Sequence, residues 1–174
     1  MSRYRGPIVR LSRRLGVMLF SHGKSKQKSY EKKPYKPGEH GQSRFRQMSE
    51  YNKQLREKQK ARVLYGISEK QSRRYYNLAS KTEGITGVNY MKLLEQRLDN
   101  VVFRAGFAST RPQARQIVSH GLVMINGKRA KTPSIQVKPG DKFEVREKSK
   151  GSPLFEEAKK AKQKTPAWLK SDTK

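Results

Sequence analysis

The sequence predicts an α+β protein in which helices come first and short strands follow. From about residue 48 to residue 120, apolar residues recur at helical spacing, and beyond residue 120 they alternate as in strands. The dipeptide Asn126-Gly127, a strong signal for a tight hairpin turn, lies between the short runs 122–125 and 128–131. The predicted order is therefore helices, then a helix–helix–hairpin unit with further strands, then a last helix.

The composition points to a polyanion as the partner. The chain of 174 residues has 41 Lys and Arg against 14 Asp and Glu, a formal net charge of +27. A compact protein with such an excess repels itself, so a large polyanion such as nucleic acid would relieve the strain. Only 33% of the residues are hydrophobic, which allows a modest core.

Several classes of site and location are excluded or disfavoured. The absence of cysteine excludes disulfides, Fe–S clusters, thiolate zinc sites and cysteine nucleophiles. No phosphate-binding loop, serine elbow or paired-carboxylate cluster is present, so we expect neither an enzyme nor a cofactor. Asp99 is interpreted as a helix-end or surface charge. The longest apolar runs are too short for a bilayer and no secretory signal is visible, which predicts an intracellular protein with no membrane partner.

We predict four segments: a basic arm (1–47), a helical domain (48–92), a patterned helix–helix–hairpin module (93–150) and a charged tail (151–174). Residues 1–60 contain 17 Lys and Arg against 4 Asp and Glu, so the excess charge is concentrated near the start. The arm is interpreted mostly as extended chain and loops, because the glycines and prolines of 34–41 forbid a continuous helix there.

Five helices are predicted. The first covers 48–65, which contains no Gly or Pro, and Ser68 with Gln71 opens a second through about Ala79. One buried face spaced from Leu94 to Ala105 indicates the third, and Thr110 with Gln113 caps the fourth, which stops at Gly121. The remaining elements and patterns are an apolar stripe starting with Met48, Tyr51 and Leu55, strands at 135–137 and 143–145, and a helix over 152–164.

The strongest chemical signal is the fourth helix with the hairpin after it. Arg111, Arg115 and Ser119 lie at i, i+4 and i+8, so two guanidinium groups face the same way at a spacing that suits successive phosphates. The alternative is a solvated basic face. The arm interleaves cations with aromatics that can stack on unpaired bases, or else it is a disordered, solubilising tail. These aromatics are Tyr4, Tyr30, Tyr35, Phe45 and Tyr51.

Several stretches of the sequence resemble a known family. The run "LEQRLDNVVFRAGFASTRPQARQIVSHGLVMINGKR" with "PGDKFEV" is similar to the small RNA-binding module named after small-subunit ribosomal protein S-four. The flanking runs "MSRYRGP", "RRLG", "KPYKPGEHGQ", "SEKQSRRYY" and "TPAWL" look like the S-four family itself, of bacterial or organellar type. The resemblance is collinear over essentially the whole chain.

The resemblance implies a primary binder of small-subunit rRNA at a helix junction of the 5′ domain, which nucleates assembly. It also implies that ribosomal proteins of the S-five and S-three types are neighbours, that the protein lies near the mRNA entry channel, and that it influences the accuracy of decoding. By the same match, the RNA-facing residues of the module are Arg111, Gln113, Arg115, Gln116 and the run from His120 and Gly121 through Asn126, Gly127 and Lys128. Those of the arm are Arg3, Arg5, Arg13, Arg14, Tyr35, His40 and Arg44, and those of the helical domain are Lys53, Arg56, Lys60, Arg73 and Tyr76.

Two features depart from the family pattern. Many relatives hold the arm with a four-cysteine zinc knuckle, so in this cysteine-free chain we expect RNA to order residues 17–33. Relatives usually continue past the Trp-Leu segment, whereas this sequence stops at Lys174. Either the helical domain lacks the support of that stretch, or the tail is shortened.

Two rival functions are weighed. An RNA-modifying enzyme that carries the module as an appendage would need a catalytic domain, for which 174 residues leave no room. A general nucleic-acid chaperone needs only high charge, and it would discriminate little between RNAs.

Overall fold

The computed structural model describes residues 4, 6–19, 24–42, 48–155 and 165–170. The chain divides into two compact units, Met1–Ser72 and Arg73–Lys174. The division into four segments made above stays a prediction. Over the described ranges, no helix is long and apolar enough to cross a bilayer.

The first unit is helical in its described part. Helix α1 contacts both α2 and α3, and a left-handed Gly16 with φ of 73° ends α1. Ser49 caps α3 by accepting a hydrogen bond from the Asn52 amide, and Ser68 does the same for α4 through the Gln71 amide. The helices are α1 (Ile8–Leu15), α2 (Lys24–Lys32), α3 (Glu50–Leu64) and the start of α4 (Glu69–Ser80), with a short 3₁₀ turn at Glu39–Gln42.

For the part of 1–47 that the structure describes, the expectation of mostly extended chain and loops is wrong, because it contains α1 and α2. Ile8, Leu11 and Leu15 lie at i, i+3 and i+7, and this spacing gives α1 an apolar stripe that the surrounding arginines obscure. Helix α2 has no such stripe, but Lys, Gln and Glu are good helix formers and Gln27 donates to Glu31 one turn on. The part of 17–33 that was expected to need RNA for its order thus contains a helix.

The predicted helix at 48–65 is confirmed as α3, but the stripe on it is not a buried face. Tyr51 is 74% exposed and no residue of α3 is buried. Exposed side-chain pairs along the helix add to the stability that its contact with α1 gives, including a bond from Arg56 to Asn52 and a bridge from Lys53 to Glu50.

The second unit combines helices with a small antiparallel sheet. Strand β1 lies in the centre and pairs with β2 on one side and β3 on the other. The α+β prediction is confirmed, as is the hairpin at Asn126-Gly127. The elements after α4 are α5 (Thr86–Glu95), α6 (Leu98–Arg104), α7 (Arg111–Ser119), β1 (Val123–Ile125), β2 (Lys128–Ala130) and β3 (Phe143–Val145).

The core of this unit lies between α6, α7 and the sheet. Leu98, Val102, Ile117, Val118 and Val123 are almost completely buried and belong to one cluster. Partly buried side chains of β3 and of the segment before it close the cluster. Because α6 and α7 contribute their apolar faces to it, the opposite face of α7 is directed away from the core.

The single helix predicted from Leu94 to Ala105 is wrong, because the chain breaks between α5 and α6. Arg97 is extended, with φ −63° and ψ 136°, and it bridges to Gln136. On either side, the Val137 amide donates to the Gln96 carbonyl and the Leu98 amide to the Ile135 carbonyl. The same pairing replaces the strand predicted at 135–137, and of the two predicted strands only 143–145 belongs to the sheet.

The predicted last helix lies partly outside the described residues. Residues 153–155 are helical, and the described structure begins again at residue 165. Phe155 is buried against the core cluster.

Candidate nucleic-acid interface

Helix α7 begins with a reciprocal cap. The Thr110 hydroxyl accepts a hydrogen bond from the Gln113 amide at 3.2 Å, and the Gln113 side chain accepts one from the Ser109 amide at 2.8 Å. Pro112 occupies the first turn, where its missing N–H costs nothing. Gln113, predicted to face RNA, therefore uses its side-chain oxygen to build the helix start, while Gln116 lies exposed one turn further on.

The two arginines of α7 that were predicted to face RNA, Arg111 and Arg115, both contact side chains of α6. Arg111 is half-buried; its Nε donates to Asn100 Oδ1 at 2.9 Å, and its guanidinium carbon lies 4.6 Å from the centre of the Phe103 ring. Only 11% of the Arg115 side chain is exposed, and its Nη1 lies 4.0 Å from Asp99 Oδ2. The structure thus places both cations in defined positions, with Arg115 mostly below the surface.

A buried ion pair underlies α7. Asp99 lies in the first turn of α6, as the helix-end alternative predicted, and the alternative of a surface charge is wrong because Asp99 is buried. Asp99 accepts two bonds from Arg97, at 3.0 and 2.6 Å, and both residues are buried. Burial opposes the charged form of Arg97, but the bonds and charge of Asp99 outweigh it, so the pKa of Arg97 lies above its ordinary value. Burial lowers the pKa of Arg115 despite the attraction of Asp99, although a guanidinium stays charged at neutral pH.

Arg129 binds the carbonyl groups at the end of α7, and it is not among the residues predicted to face RNA. Gly121 has φ of 67°, and the Leu122 amide donates back to the Ile117 carbonyl, which together form a Schellman cap. Arg129 of β2 donates to the carbonyls of His120 and Gly121, both at 3.0 Å. The signal available in the sequence was the proximity of Arg129 to the hairpin tip, but its contact with a helix end is set by the fold.

Replacing Gly121 with alanine should destabilise this corner. The left-handed backbone costs a residue with a Cβ about 1–2 kcal/mol, and that Cβ would also collide with the Arg129 guanidinium. We expect a loss of at least that size in urea unfolding. Gly140→Ala is the matched control, because Gly140 has φ of 93° but open space around it. Equal losses in the two variants would contradict the role assigned to the Arg129 contact.

The hairpin tip is fixed by Asn126 as well as by its turn. Asn126 and Gly127 have φ of 48° and 75°, as a two-residue turn between twisted strands requires. The Asn126 side chain donates to Asp141 and accepts from the Lys142 amide, both at 2.9 Å. Bonds from the Lys138 amide and from Asn126 hold the pKa of the Asp141 carboxyl below its ordinary value. Lys128 is exposed beside this braced tip.

The first unit places two of the predicted arm residues together. Arg13 donates from Nε to the Tyr35 carbonyl at 2.9 Å, and its guanidinium carbon lies 4.9 Å from the centre of the Tyr35 ring. Arg14 and His40 are exposed. The contacts of Arg13 therefore fix the bend at Tyr35 against α1. Three predicted RNA-facing residues, Arg3, Arg5 and Arg44, lie outside the described residues.

The remaining predicted residues lie on α3 and α4. Lys53, on α3, is exposed, whereas Arg56 and Lys60 are partly buried. On α4, Arg73 is exposed and Tyr76 is 57% exposed. Within the described part of the chain, no group of three or more His, Asp or Glu residues could hold a metal ion.

Comparison with known proteins assigns the chain to a family. Residues 3–95 match the model "Ribosomal protein S4/S9 N-terminal domain", and residues 96–143 match the "S4 domain". Small ribosomal subunit protein uS4 of Natranaerobius thermophilus is 50% identical over 99% of this chain and 85% of its own. The chain belongs to the uS4 family. The uS4 proteins of Chlorobium limicola and Brevibacillus brevis are 50% and 51% identical, over 99% and 91% of this chain and 84% and 77% of their own.

The family boundary between the two uS4 matches falls next to the break in the helices. The N-terminal match ends at residue 95 and the S4 domain begins at residue 96, where α5 gives way to the extended Arg97. The bacterial-type S-four resemblance drawn from the sequence is confirmed by these matches.

Proposed function

We propose that this chain is a structural, non-enzymatic constituent of the small ribosomal subunit that binds small-subunit rRNA. The observation that carries the proposal is the surface formed by α7 and the β1–β2 hairpin, named here the α7–hairpin surface. It presents Arg111, Lys128 and Arg129 on a braced scaffold within a chain of net charge +27. Membership of the uS4 family supports the ribosomal setting.

The binding mechanism is electrostatic attraction followed by recognition of shape. Lys and Arg neutralise phosphates and release counterions, which gives affinity without sequence information. A rigid helix and hairpin can then distinguish one folded junction from another by the positions of its phosphates and riboses. The caps of α7 and the bonds of Asn126 supply that rigidity.

The finer assignment follows the family resemblance. We place the binding site at a helix junction of the 5′ domain, where binding nucleates assembly of the subunit body. In the same assignment, the chain lies beside ribosomal proteins of the S-five and S-three types and near the mRNA entry channel, and it contributes to translational accuracy. The ribosome is cytoplasmic, and an organelle ribosome is the alternative.

A filter-binding titration tests the RNA assignment. The full chain is titrated with the 5′-domain junction of small-subunit rRNA and with an unrelated structured RNA of equal length, in magnesium and near-physiological salt. We expect at least a hundredfold preference for the junction, since a rigid surface fits one arrangement of phosphates. The salt slope should reflect several contacts at about 0.7–0.9 log units per neutralised phosphate.

Equal affinity for the two RNAs would contradict the proposal. Binding that collapses together for both as salt rises would identify a general nucleic-acid chaperone, for which charge alone suffices.

A further inference from the structure

A chain of polar side chains runs inside the second unit and ends at Arg111. Arg104 binds both carboxylate oxygens of Glu95, at 3.0 and 2.7 Å. Asn100 donates from Nδ2 to Glu95 Oε2 at 2.7 Å and to the Glu95 carbonyl at 3.1 Å. Its Oδ1 accepts from Arg111 Nε at 2.9 Å. The link between α5 and α7 therefore passes through one amide on α6.

The orientation of the Asn100 amide is determined by its surroundings. Asn100 is 2% exposed, so its side chain cannot turn outward to water. Its NH₂ group faces an ionised carboxylate, which accepts hydrogen bonds and does not donate them. The amide oxygen must therefore point the other way, toward α7, where it meets a cationic donor.

Arg111 is consequently held on two sides before any ligand arrives. Asn100 fixes Nε, and the Phe103 ring packs against the guanidinium plane at 4.6 Å. A guanidinium has five N–H donors in a fixed fork, so fixing one of them orients the whole group. Long side chains that are ordered in advance lose less entropy when they bind.

We infer that Asn100 is a positioning residue for RNA binding, which acts by fixing the guanidinium of Arg111 on the α7–hairpin surface. This inference rests on the proposed function. It adds a buried residue that would touch no RNA itself, and it assigns Glu95 the supporting role of orienting the amide.

A double-mutant cycle with Asn100→Ala and Arg111→Ala tests the inference by titration against the junction RNA. Asn100→Ala should weaken binding by about 3- to 10-fold, because Arg111 must then be ordered on binding. In the Arg111→Ala background the same change should cost less than twofold. Equal losses in both backgrounds, or wild-type affinity in a folded Asn100→Ala protein, would overturn the inference.

Asn89→Ala is the matched control. Asn89 donates to the carbonyls of Thr82 and Glu83 in the turn before α5. Its replacement also removes two side-chain hydrogen bonds of an asparagine, but at a position far from α7 in the sequence. Wild-type affinity in this variant is expected. A loss equal to that of Asn100→Ala would mean that any weakened turn impairs binding, and would overturn the positioning role.

A measurement on the wild-type protein covers the case in which Asn100→Ala does not fold. In ¹⁵N relaxation spectra of the RNA-free full chain, the Arg111 Nε–H should be ordered nearly as well as the backbone, above about 0.8 in S². The exposed Arg74 provides the mobile reference. An Arg111 as mobile as Arg74 would refute the inference, whereas a wild-type protein that binds both RNAs equally would refute the proposed function instead.

Discussion

Replacing Arg111 and Arg115 together with alanine is expected to weaken binding to the junction RNA at least tenfold. Arg111 leaves the α7–hairpin surface and Arg115 leaves a position just below it, so the salt slope should fall by about 0.7–0.9 log units for the one phosphate that Arg111 contacts. Arg115 contributes although only 11% of its side chain is exposed, because partly buried charges are screened less by salt than exposed ones. Filter binding at several salt concentrations measures both quantities.

A control for this prediction removes the same charge elsewhere in the second unit. Lys81 and Lys148 are exposed and lie outside the predicted site, so Lys81→Ala with Lys148→Ala should change the affinity less than threefold. Thermal melting of each variant establishes that it is folded, since Arg111 also bonds to Asn100. Unchanged affinity in the arginine variant would remove α7 from the interface.

Replacing Asp99 with alanine should cost the largest stability of any single change considered. Arg97 would remain 0% exposed without its two-bond acceptor. Breaking a buried ion pair by removing one partner typically costs about 3–5 kcal/mol, because an uncompensated charge stays inside. Urea unfolding of the full chain, followed by circular dichroism, should show this loss.

The double variant Arg97→Met with Asp99→Leu separates charge from packing. Removing both charges leaves no buried ion, so this variant should be more stable than Asp99→Ala alone. The exposed pair Glu147–Lys150 is the surface reference, and Glu147→Ala should have no measurable effect. A double variant less stable than Asp99→Ala would mean that Arg97 is held chiefly by Tyr75, to which it also donates.

The parts of the second unit that sequence patterns predicted are those that neighbouring residues determine. The cap by Thr110 and Gln113 and the stop at Gly121 depend on bonds within about five residues, and the turn at Asn126-Gly127 depends on the left-handed backbone of two adjacent residues. Such signals are legible because the side chain and the backbone group that it satisfies lie close together in the chain. The RNA-facing residues on α7 and at the hairpin tip were taken from the family resemblance, and their contact with RNA stays a prediction.

The break between α5 and α6 could not be read from local pattern. The helical spacing of apolar residues continues through Leu94 and Leu98. The backbone of Arg97, however, forms an antiparallel bridge with Gln136, which lies far along the chain. Charge also misled, because Arg97 and Asp99 are residue types found on surfaces unless they are paired. In the arm, the arginines around the apolar spacing of α1 hid a helix for a similar reason.

The bridge between Arg97 and Gln136 is expected to couple the opening of α7 to the opening of the hairpin. It joins points roughly 40 residues apart and so closes a loop that contains α6, α7 and the hairpin. Opening that closure should loosen the helix and the hairpin together, because most of the buried core on which both pack lies inside the same loop. An RNA that binds only the assembled surface would therefore also stabilise the closure.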